Sequence, residues 1–394
     1  MKIAHIVKSS HNIGEGALIN GMHRVLREDL KRNLEFDLID RKHFQALHGK
    51  EYLKGSVSKR FDNEFINFLN KNYKLLIIGG GGIIQTGQYD NFGGLVIAGD
   101  LDSLKNLDIP LVVYAAGDNR FSENDNFEYG KELSNLIREI ESSNNLFSLR
   151  NDLSKERLLS FIDKDLHNQI KVIPDPGFYI NVDKISHPLI RKNKKNIVLQ
   201  LAGDRINKRI KNENENSNFL DYFVENILES IKIISKKYDI NVILSPHIPA
   251  DYFLINKFIE KGSTITVNGS GIIRELFDFN FCSRGFSMAS SFFSLYDQAD
   301  LVVGMRGHAA ICSIGLGTPF IALDSHPKVL GVMKDVNLIN YSIDPSLPNL
   351  SLNLSNMIES LLQNSNLWRE ERNKQIKILR QKTSEFHKLI SDII

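Results

Sequence analysis

Short apolar runs alternate with amphipathic segments along most of the chain. Each run is short enough for a strand, and the segments between them carry apolar residues at helical spacing. The runs predict strands at residues 3–7, 75–78, 111–115, 146–149 and 172–173, and again at 197–201, 242–244, 264–267, 301–303 and 320–323. This alternation is typical of parallel sheets covered by helices.

A polar, basic segment at residues 181–196 separates the two sets of strands and is interpreted as an interdomain linker. The chain has 394 residues, more than one hydrophobic core usually serves. We therefore predict an α/β protein with two Rossmann-like, parallel-sheet domains facing each other across a cleft. They occupy residues 1–185 and 196–345, and helices at 352–362 and 367–390 fill a C-terminal segment, 346–394.

Composition narrows the class of protein. Hydrophobic residues make up 42% and charged residues 24%, and 49 basic against 47 acidic residues leave a net charge of +2, so nucleic-acid binding is not expected. Cys282 and Cys312 stand beside apolar residues, which predicts buried, reduced thiols. The first residues do not resemble a signal peptide, and no run of about eighteen apolar residues occurs. We expect a cytoplasmic protein.

Ligands of such folds bind at the carboxyl ends of the strands. After the first strand, a loop containing Asn12, Gly14 and Glu15 could present backbone N–H groups to an anion or polar substrate, and a simple glycine turn fits it as well. The second strand ends in four glycines, which suggests close approach of a ligand to Gly80, Gly81 and Gly82.

An arginine, Arg150, ends another strand of the first half. Burying it unpaired would be costly, so it either reaches an acidic ligand or pairs with a carboxylate such as Asp152. We favour the ligand. The Asp175-Pro176-Gly177 segment is interpreted as a turn.

In the second half, His247 follows strand 242–244, and a structural and a functional role are equally supported for it. The strand at 301–303 stops before Arg306 and His308, and a helix of small residues follows. A guanidinium, an imidazole and helix N–H groups suit one phosphate or carboxylate. Lys328, after the next strand, is expected beside Arg306. With no acidic run nearby, we expect an anionic ligand rather than a salt-bridged turn.

In their order, these motifs resemble the polysaccharide pyruvyl transferase family over residues 1 to about 335. The resemblance implies a glycosyltransferase-B-like fold and transfer of pyruvate from phosphoenolpyruvate to a sugar as a ketal. It places donor-associated residues at Arg150, His308 and Lys328. Glu15 stands where an aspartate is expected, a departure that concerns the acceptor side.

The chemistry suggests a hypothesis for each residue. Arg306, Arg150 and Lys328 hold the donor's two anionic groups, and protonated His308 supplies a proton to its methylene carbon. His247 or a neighbouring carboxylate deprotonates the acceptor. No metal or cofactor is expected, and the first domain is assigned to the acceptor and the second to the donor.

Two alternatives remain: a glycosyltransferase with a nucleotide-sugar donor, and a saccharide-binding protein without catalysis. The acceptor is expected to be a saccharide or lipid-linked saccharide, recognised by loops at 85–92 and 121–129. A peripheral membrane contact stays open through basic residues of the last helix, although a solvated helix is favoured; these are Arg372, Lys374, Lys377, Arg380 and Lys382.

Overall fold

The computed structural model describes residues 1–7, 12–39, 63–85, 94–95, 101–120, 127–143, 145–184, 186–209, 219–261, 267–268 and 281–394. Most of both predicted acceptor loops, residues 264–266 of one predicted strand and the side chain of Cys282 lie outside this description.

Contacts between Cα atoms divide the chain into two compact units. The first contains Met1–Ser10, Met22–Pro176 and Leu379–Ile394, and the second contains His11–Gly21 and Gly177–Ile378. Compared with the sequence-based division, residues 11–21 and 177–185 group with the second unit, and residues 379–394 group with the first.

The first unit holds a six-stranded parallel sheet in the order β2-β1-β3-β4-β5-β6. Its strands are β1 (Lys2–Ile6), β2 (Glu35–Ile39), β3 (Leu75–Gly79), β4 (Leu111–Ala116), β5 (Leu146–Arg150) and β6 (Lys171–Ile173). Strands β3, β4 and β5 are buried along their whole length, which explains the continuous apolar sequences of β3 and β4. The edge strand β2 was not predicted, because its sequence EFDLI is half polar and mostly half-buried.

The second unit holds another six-stranded parallel sheet, in the order β12-β11-β10-β7-β8-β9. Its strands are β7 (Lys195–Gln200), β8 (Ile240–Leu244), β9 (Val267–Asn268), β10 (Leu301–Gly304), β11 (Phe320–Leu323) and β12 (Ser342–Ile343). The prediction of two parallel-sheet α/β domains is confirmed.

Helices follow most strands. They are α1 (Ile13–Leu30), α2 (Asn63–Asn72), α3 (Leu101–Leu104), α4 (Gly130–Ser142), α5 (Ser154–Leu158), α6 (Ile206–Arg209), α7 (Phe219–Ser235), α8 (Tyr252–Lys261), α9 (Phe281–Gln298), α10 (Gly307–Leu316), α11 (Pro327–Asp335), α12 (Leu350–Gln363) and α13 (Asn366–Asp392). The last two are the predicted C-terminal helices. Within the described ranges, no helix combines the length and the apolar character needed to cross a membrane.

Helix α10 is built of small residues because it packs tightly. A Cβ atom at Gly315 would overlap the backbone of Phe178. Gly317 ends the helix with φ 90°, a left-handed conformation that favours glycine. The side chain of Cys312 on this helix is fully buried, as predicted.

Candidate active site

The carboxyl ends of β11, β10, β7 and β8 lie side by side in the second sheet, and polar residues follow each of them. Ser325 Oγ, after β11, donates to Met305 O in the turn after β10 at 3.1 Å. Gln200 ends β7, and its Oε1 accepts from Met305 N at 3.2 Å. These bonds fix the turn that presents Arg306 and His308.

Arg306 is held by two carboxylates. Its Nε donates to Asp251 Oδ2 at 2.9 Å, its Nη2 donates to Asp204 Oδ1 at 2.5 Å, and Nη2 also contacts Asp251 Oδ1. Burial alone would lower the pKa of Arg306, but the two carboxylates raise it above its usual value. Arg306 is therefore salt-bridged, contrary to what the absence of a nearby acidic run suggested, because Asp204 and Asp251 reach it from distant parts of the chain.

Asp251 is the centre of this arrangement and is fully buried. Besides Arg306, it accepts from the backbone N–H groups of Gly203, His247 and Ile248 and from the side-chain amide of Gln200. A carboxylate with this many donors has little freedom to move. It therefore fixes the guanidinium of Arg306 in position.

Asp204 joins Arg306 to another arginine, which the sequence analysis did not identify. Arg209 Nη2 lies 3.1 Å from each carboxylate oxygen of Asp204, and its Nε donates to Asp204 O at 2.9 Å. Burial would raise the pKa of Asp204, but both guanidiniums hold it below its ordinary value. Burial and the charge of Arg306 lower the pKa of Arg209.

His308 lies in the first turn of α10 and is 8% exposed. Its ring lies against Gly14, where a Cβ atom would overlap His308 Nδ1, Cγ and Cβ. Gly14 lies in the first turn of α1, where its backbone N–H donates to Oδ1 of Asn12 at 3.0 Å. The first turns of two helices therefore meet at His308.

The same turn carries Glu15. Its backbone N–H donates to Asn12 O at 3.0 Å, and its side chain is half-buried. Ile13 N donates to His247 O at 3.2 Å, which ties the start of α1 to the segment after β8. The structure thus brings Asn12, Gly14 and Glu15 into the second unit together with Arg306 and His308.

His247 is fully buried among aromatic rings. Its Nε2 shares a hydrogen bond of 2.8 Å with Tyr296 Oη, and its Nδ1 has no hydrogen-bond partner among the described residues. Burial, with the charges of Arg306 and His308, lowers the pKa of His247 well below 6.5. This burial does not support direct proton transfer from an acceptor hydroxyl.

Lys328 lies in the first turn of α11, the helix that follows β11, and is half-buried. Its backbone N–H donates to His326 Nδ1 at 3.1 Å. Because β11 and β10 are neighbouring parallel strands, Lys328 and Arg306 both lie beyond the carboxyl ends of the strands, at the same edge of the sheet.

Arg150 belongs to the first unit and is paired there. Its Nε donates to Asp152 Oδ2 at 2.8 Å and its Nη1 to Asp175 Oδ2 at 2.9 Å. The structure therefore shows the carboxylate pairing that the sequence left open, and the contact of Arg150 with an acidic ligand stays a prediction. A Cβ at Gly117 would lie 2.6 Å from Arg150 Nη2, so this glycine makes room for the guanidinium.

The glycine loop after β3 also lies in the first unit. Gly80 N donates to Tyr114 O at 2.7 Å, and Gly117 N donates to Gly81 O at 2.8 Å. Gly79, Gly80 and Gly81 have φ values of 131°, 76° and 84°, which favour glycine. Residues 79–82 are buried, so at least part of the glycine requirement comes from folding the loop against β4.

The fold is similar to those of solved enzymes. The chain is similar to a putative UDP-N-acetylglucosamine 2-epimerase from Listeria monocytogenes, with 12% identity, 95% of this chain and 90% of that chain covered, and a TM-score of 0.52. The UDP-GlcNAc 2-epimerase from Neisseria meningitidis is 13% identical, with 98% of this chain and 100% of that chain covered and a TM-score of 0.51. The UDP-GlcNAc 2-epimerase from Methanocaldococcus jannaschii is 17% identical, with 92% of this chain and 93% of that chain covered and a TM-score of 0.50. At these identities the similarity shows the fold alone, which is glycosyltransferase-B-like.

A family model described as polysaccharide pyruvyl transferase matches residues 12–327. The chain belongs to the polysaccharide pyruvyl transferase family. Among curated proteins, none matches the chain significantly by sequence.

Proposed function

We propose that this protein transfers the pyruvyl group of phosphoenolpyruvate to two hydroxyls of a saccharide as a ketal, in the biosynthesis of a cell-surface polysaccharide or glycan. The observation that carries the proposal is the turn after β10. There Arg306, fixed by Asp251, stands two residues from His308 at the sheet edge shared with Lys328. This turn offers a cation and a proton donor to one small, doubly anionic molecule.

In the proposed reaction, protonated His308 gives a proton to the methylene carbon of phosphoenolpyruvate, which becomes a methyl group. One saccharide hydroxyl bonds to the adjacent carbon, phosphate leaves, and the second hydroxyl closes the ketal. Of the two hydroxyl protons, one replaces the proton of His308 and the other leaves with phosphate. Arg306 and Lys328 stabilise the anionic groups throughout.

Glu15 is the carboxylate that we propose as the base for the acceptor hydroxyl, and it passes the proton that it accepts to the departing phosphate. It follows Gly14, which lies against His308, and it is half-buried rather than enclosed like His247. No step of this scheme requires a metal or a cofactor.

The proposed acceptor is a saccharide or a lipid-linked saccharide, and the proposed location is the cytoplasm or the inner face of the membrane. Two of the five basic residues considered for membrane contact have partners within the chain, since Arg372 contacts α10 and Arg380 pairs with Asp29. A contact with anionic lipid would therefore rest on Lys374, Lys377 and Lys382.

The experiment is a thermal shift assay with phosphoenolpyruvate and a panel of nucleotide sugars on wild type and Arg306→Ala. The matched control is Arg138→Ala, which removes exposed ion pairs with Asp163 and Asp165 in the other unit. Phosphoenolpyruvate should raise the Tm of wild type and the control but not of Arg306→Ala. A rise in Tm with a nucleotide sugar alone would indicate a glycosyltransferase. No rise in Tm with either class of ligand would indicate a non-catalytic saccharide-binding protein.

A further inference from the structure

Asp204 lies between two buried guanidiniums. The side chains of Arg306 and Arg209 are 10% and 5% exposed, whereas that of Asp204 is 27% exposed. Each arginine donates to this carboxylate, at 2.5 Å from Arg306 and 3.1 Å from Arg209. A planar carboxylate between two guanidiniums is the arrangement in which proteins bind oxyanions.

The two aspartates that contact Arg306 differ in their freedom to move. Asp251 is fully buried and accepts from three backbone N–H groups, so it belongs to the framework. Asp204 is more exposed, and its neighbour Arg205 has φ 51°, a left-handed conformation that costs free energy in a residue other than glycine. The backbone is thus strained next to the more exposed of the two carboxylates.

We propose that Asp204 is an internal stand-in for a substrate oxyanion, and that Arg209 is a donor-binding residue. In the ligand-free protein the Asp204 carboxylate fills the position between Arg306 and Arg209. The carboxylate or phosphate of phosphoenolpyruvate displaces it and takes over both arginines. This inference rests on the proposed function and adds Arg209 and an exchange step to it.

Charge balance supports the exchange. With Asp204 in place, two arginines and two aspartates sum to zero charge. When Asp204 moves away, Asp251 remains and the cluster keeps one positive charge for the incoming oxyanion. Wild type then binds phosphoenolpyruvate more weakly than a protein without this carboxylate. Its apparent Kd is the intrinsic Kd divided by the fraction of molecules in which Asp204 has moved away.

The test is the Kd of phosphoenolpyruvate, measured by calorimetry for wild type, Asp204→Asn and Asp251→Asn. Asparagine keeps the size of each side chain and removes its charge. Asp204→Asn should bind about tenfold or more tightly than wild type, because the competing carboxylate is gone. Asp251→Asn should bind more weakly, because Arg306 loses its anchor. Unchanged or weaker binding by Asp204→Asn overturns the proposal.

Thermal unfolding separates this role from a structural one. Asp204→Asn should have a lower Tm than wild type without ligand, since the arginines lose a partner, but a larger rise in Tm with phosphoenolpyruvate. A purely structural aspartate would lower the Tm and reduce the rise, which would contradict the exchange.

Arg209→Gln provides a second variant that does not depend on the folding of Asp204→Asn. It should weaken phosphoenolpyruvate binding about tenfold or more, and unchanged affinity overturns the assignment of Arg209. Inorganic phosphate and pyruvate, tested separately on Asp204→Asn, show which oxyanion takes the position. If neither they nor phosphoenolpyruvate binds Asp204→Asn, the exchange is excluded.

The two proposals fail in different ways. If phosphoenolpyruvate binds neither wild type nor any variant, the proposed function is overturned together with this inference. If it binds wild type through Arg306 but Asp204→Asn gains nothing, only the exchange is overturned.

Discussion

The imidazole of His308 lies so close to Gly14 that no side chain fits at position 14. A Cβ atom at position 14 would overlap three atoms of His308, one of which is the Cβ of His308. The backbone of the glycine is also fixed, because Gly14 N donates to Asn12 Oδ1 and Ile13 N donates to His247 O. The first turn of α1 thus packs against the ring of His308 and fixes its position.

Gly14→Ala should reduce turnover by displacing His308. A shift of about 1 Å in a catalytic group can cost about a hundredfold in rate, and we expect a loss of about ten- to a hundredfold in kcat. The Kd of phosphoenolpyruvate should change less, because Arg306 is held by other residues. Phosphate release with a saccharide acceptor measures the rate.

The control is the same substitution in a His308→Gly background. Because the overlap includes the Cβ of His308, glycine rather than alanine is needed there. If Gly14 acts through His308, Gly14→Ala should cost little more in that background. An equal loss in both backgrounds would show that Gly14 acts in another way.

His308→Ala should lower kcat by about a hundredfold or more, because general acid catalysis contributes about that much. The Kd of phosphoenolpyruvate should stay within about threefold of wild type if the imidazole acts mainly in the transition state. Single-turnover kinetics and calorimetry separate the two quantities. Normal turnover in this variant would remove His308 from the mechanism.

The turn that carries Arg306 and His308 could be predicted from the sequence, and its surroundings could not. The apolar run and the small residues after it predict β10 and α10 to within about two residues. The carboxylates that hold Arg306 lie 55 and 102 residues away along the chain. Hydrophobic periodicity does not specify which acid meets which arginine, so Asp204 and Arg209 were missed.

The sequence also assigned Asn12, Gly14 and Glu15 to the first domain, where β1 lies. The structure groups residues 11–21 with the second unit, within which Gly14 lies against His308. A glycine that is needed for close packing has the same sequence signature as one in a turn. Only the three-dimensional contact distinguishes them.

Glu15→Gln should abolish most turnover while Glu15→Asp retains a substantial part of it, if the carboxylate accepts a proton from the acceptor. Loss of a general base costs about a hundredfold or more, and the aspartate keeps the charge with a shorter reach. The rate is measured as phosphate release at saturating phosphoenolpyruvate. Equal activity of Glu15→Gln and wild type would assign the base to another residue.

Arg372 should stabilise helix α10 from its far end. Its Nε donates to Ile314 O at 2.6 Å and its Nη2 contacts Gly315 O. Both carbonyls belong to the last turn of the helix, where carbonyl groups lack N–H donors from a following turn. Arg372→Ala should lower the stability of the second unit by about 1–2 kcal/mol. Thermal unfolding measures the change, and exposed Lys377→Ala on the same helix is the control, expected within about 0.5 kcal/mol of wild type. Equal Tm values for the two variants would contradict the contact.

A buried histidine pair in the first unit should make the protein less stable in mild acid. His5 Nδ1 and His23 Nε2 are 2.9 Å apart, and His5 Nε2 lies 3.0 Å from Gly79 O, at the start of the glycine loop. Burial lowers the pKa of His5 from 6.5 to about 4, and it lowers the pKa of His23 well below 6.5. As the pH falls below 6.5, the unfolded chain binds protons that the folded chain does not, so stability is lost progressively down to about pH 4. For His5 alone the loss is about 3 kcal/mol over this range. The Tm of wild type should therefore fall between these pH values, and that of His5→Gln should fall less steeply. Parallel profiles for the two proteins would show that His5 does not titrate as its burial requires.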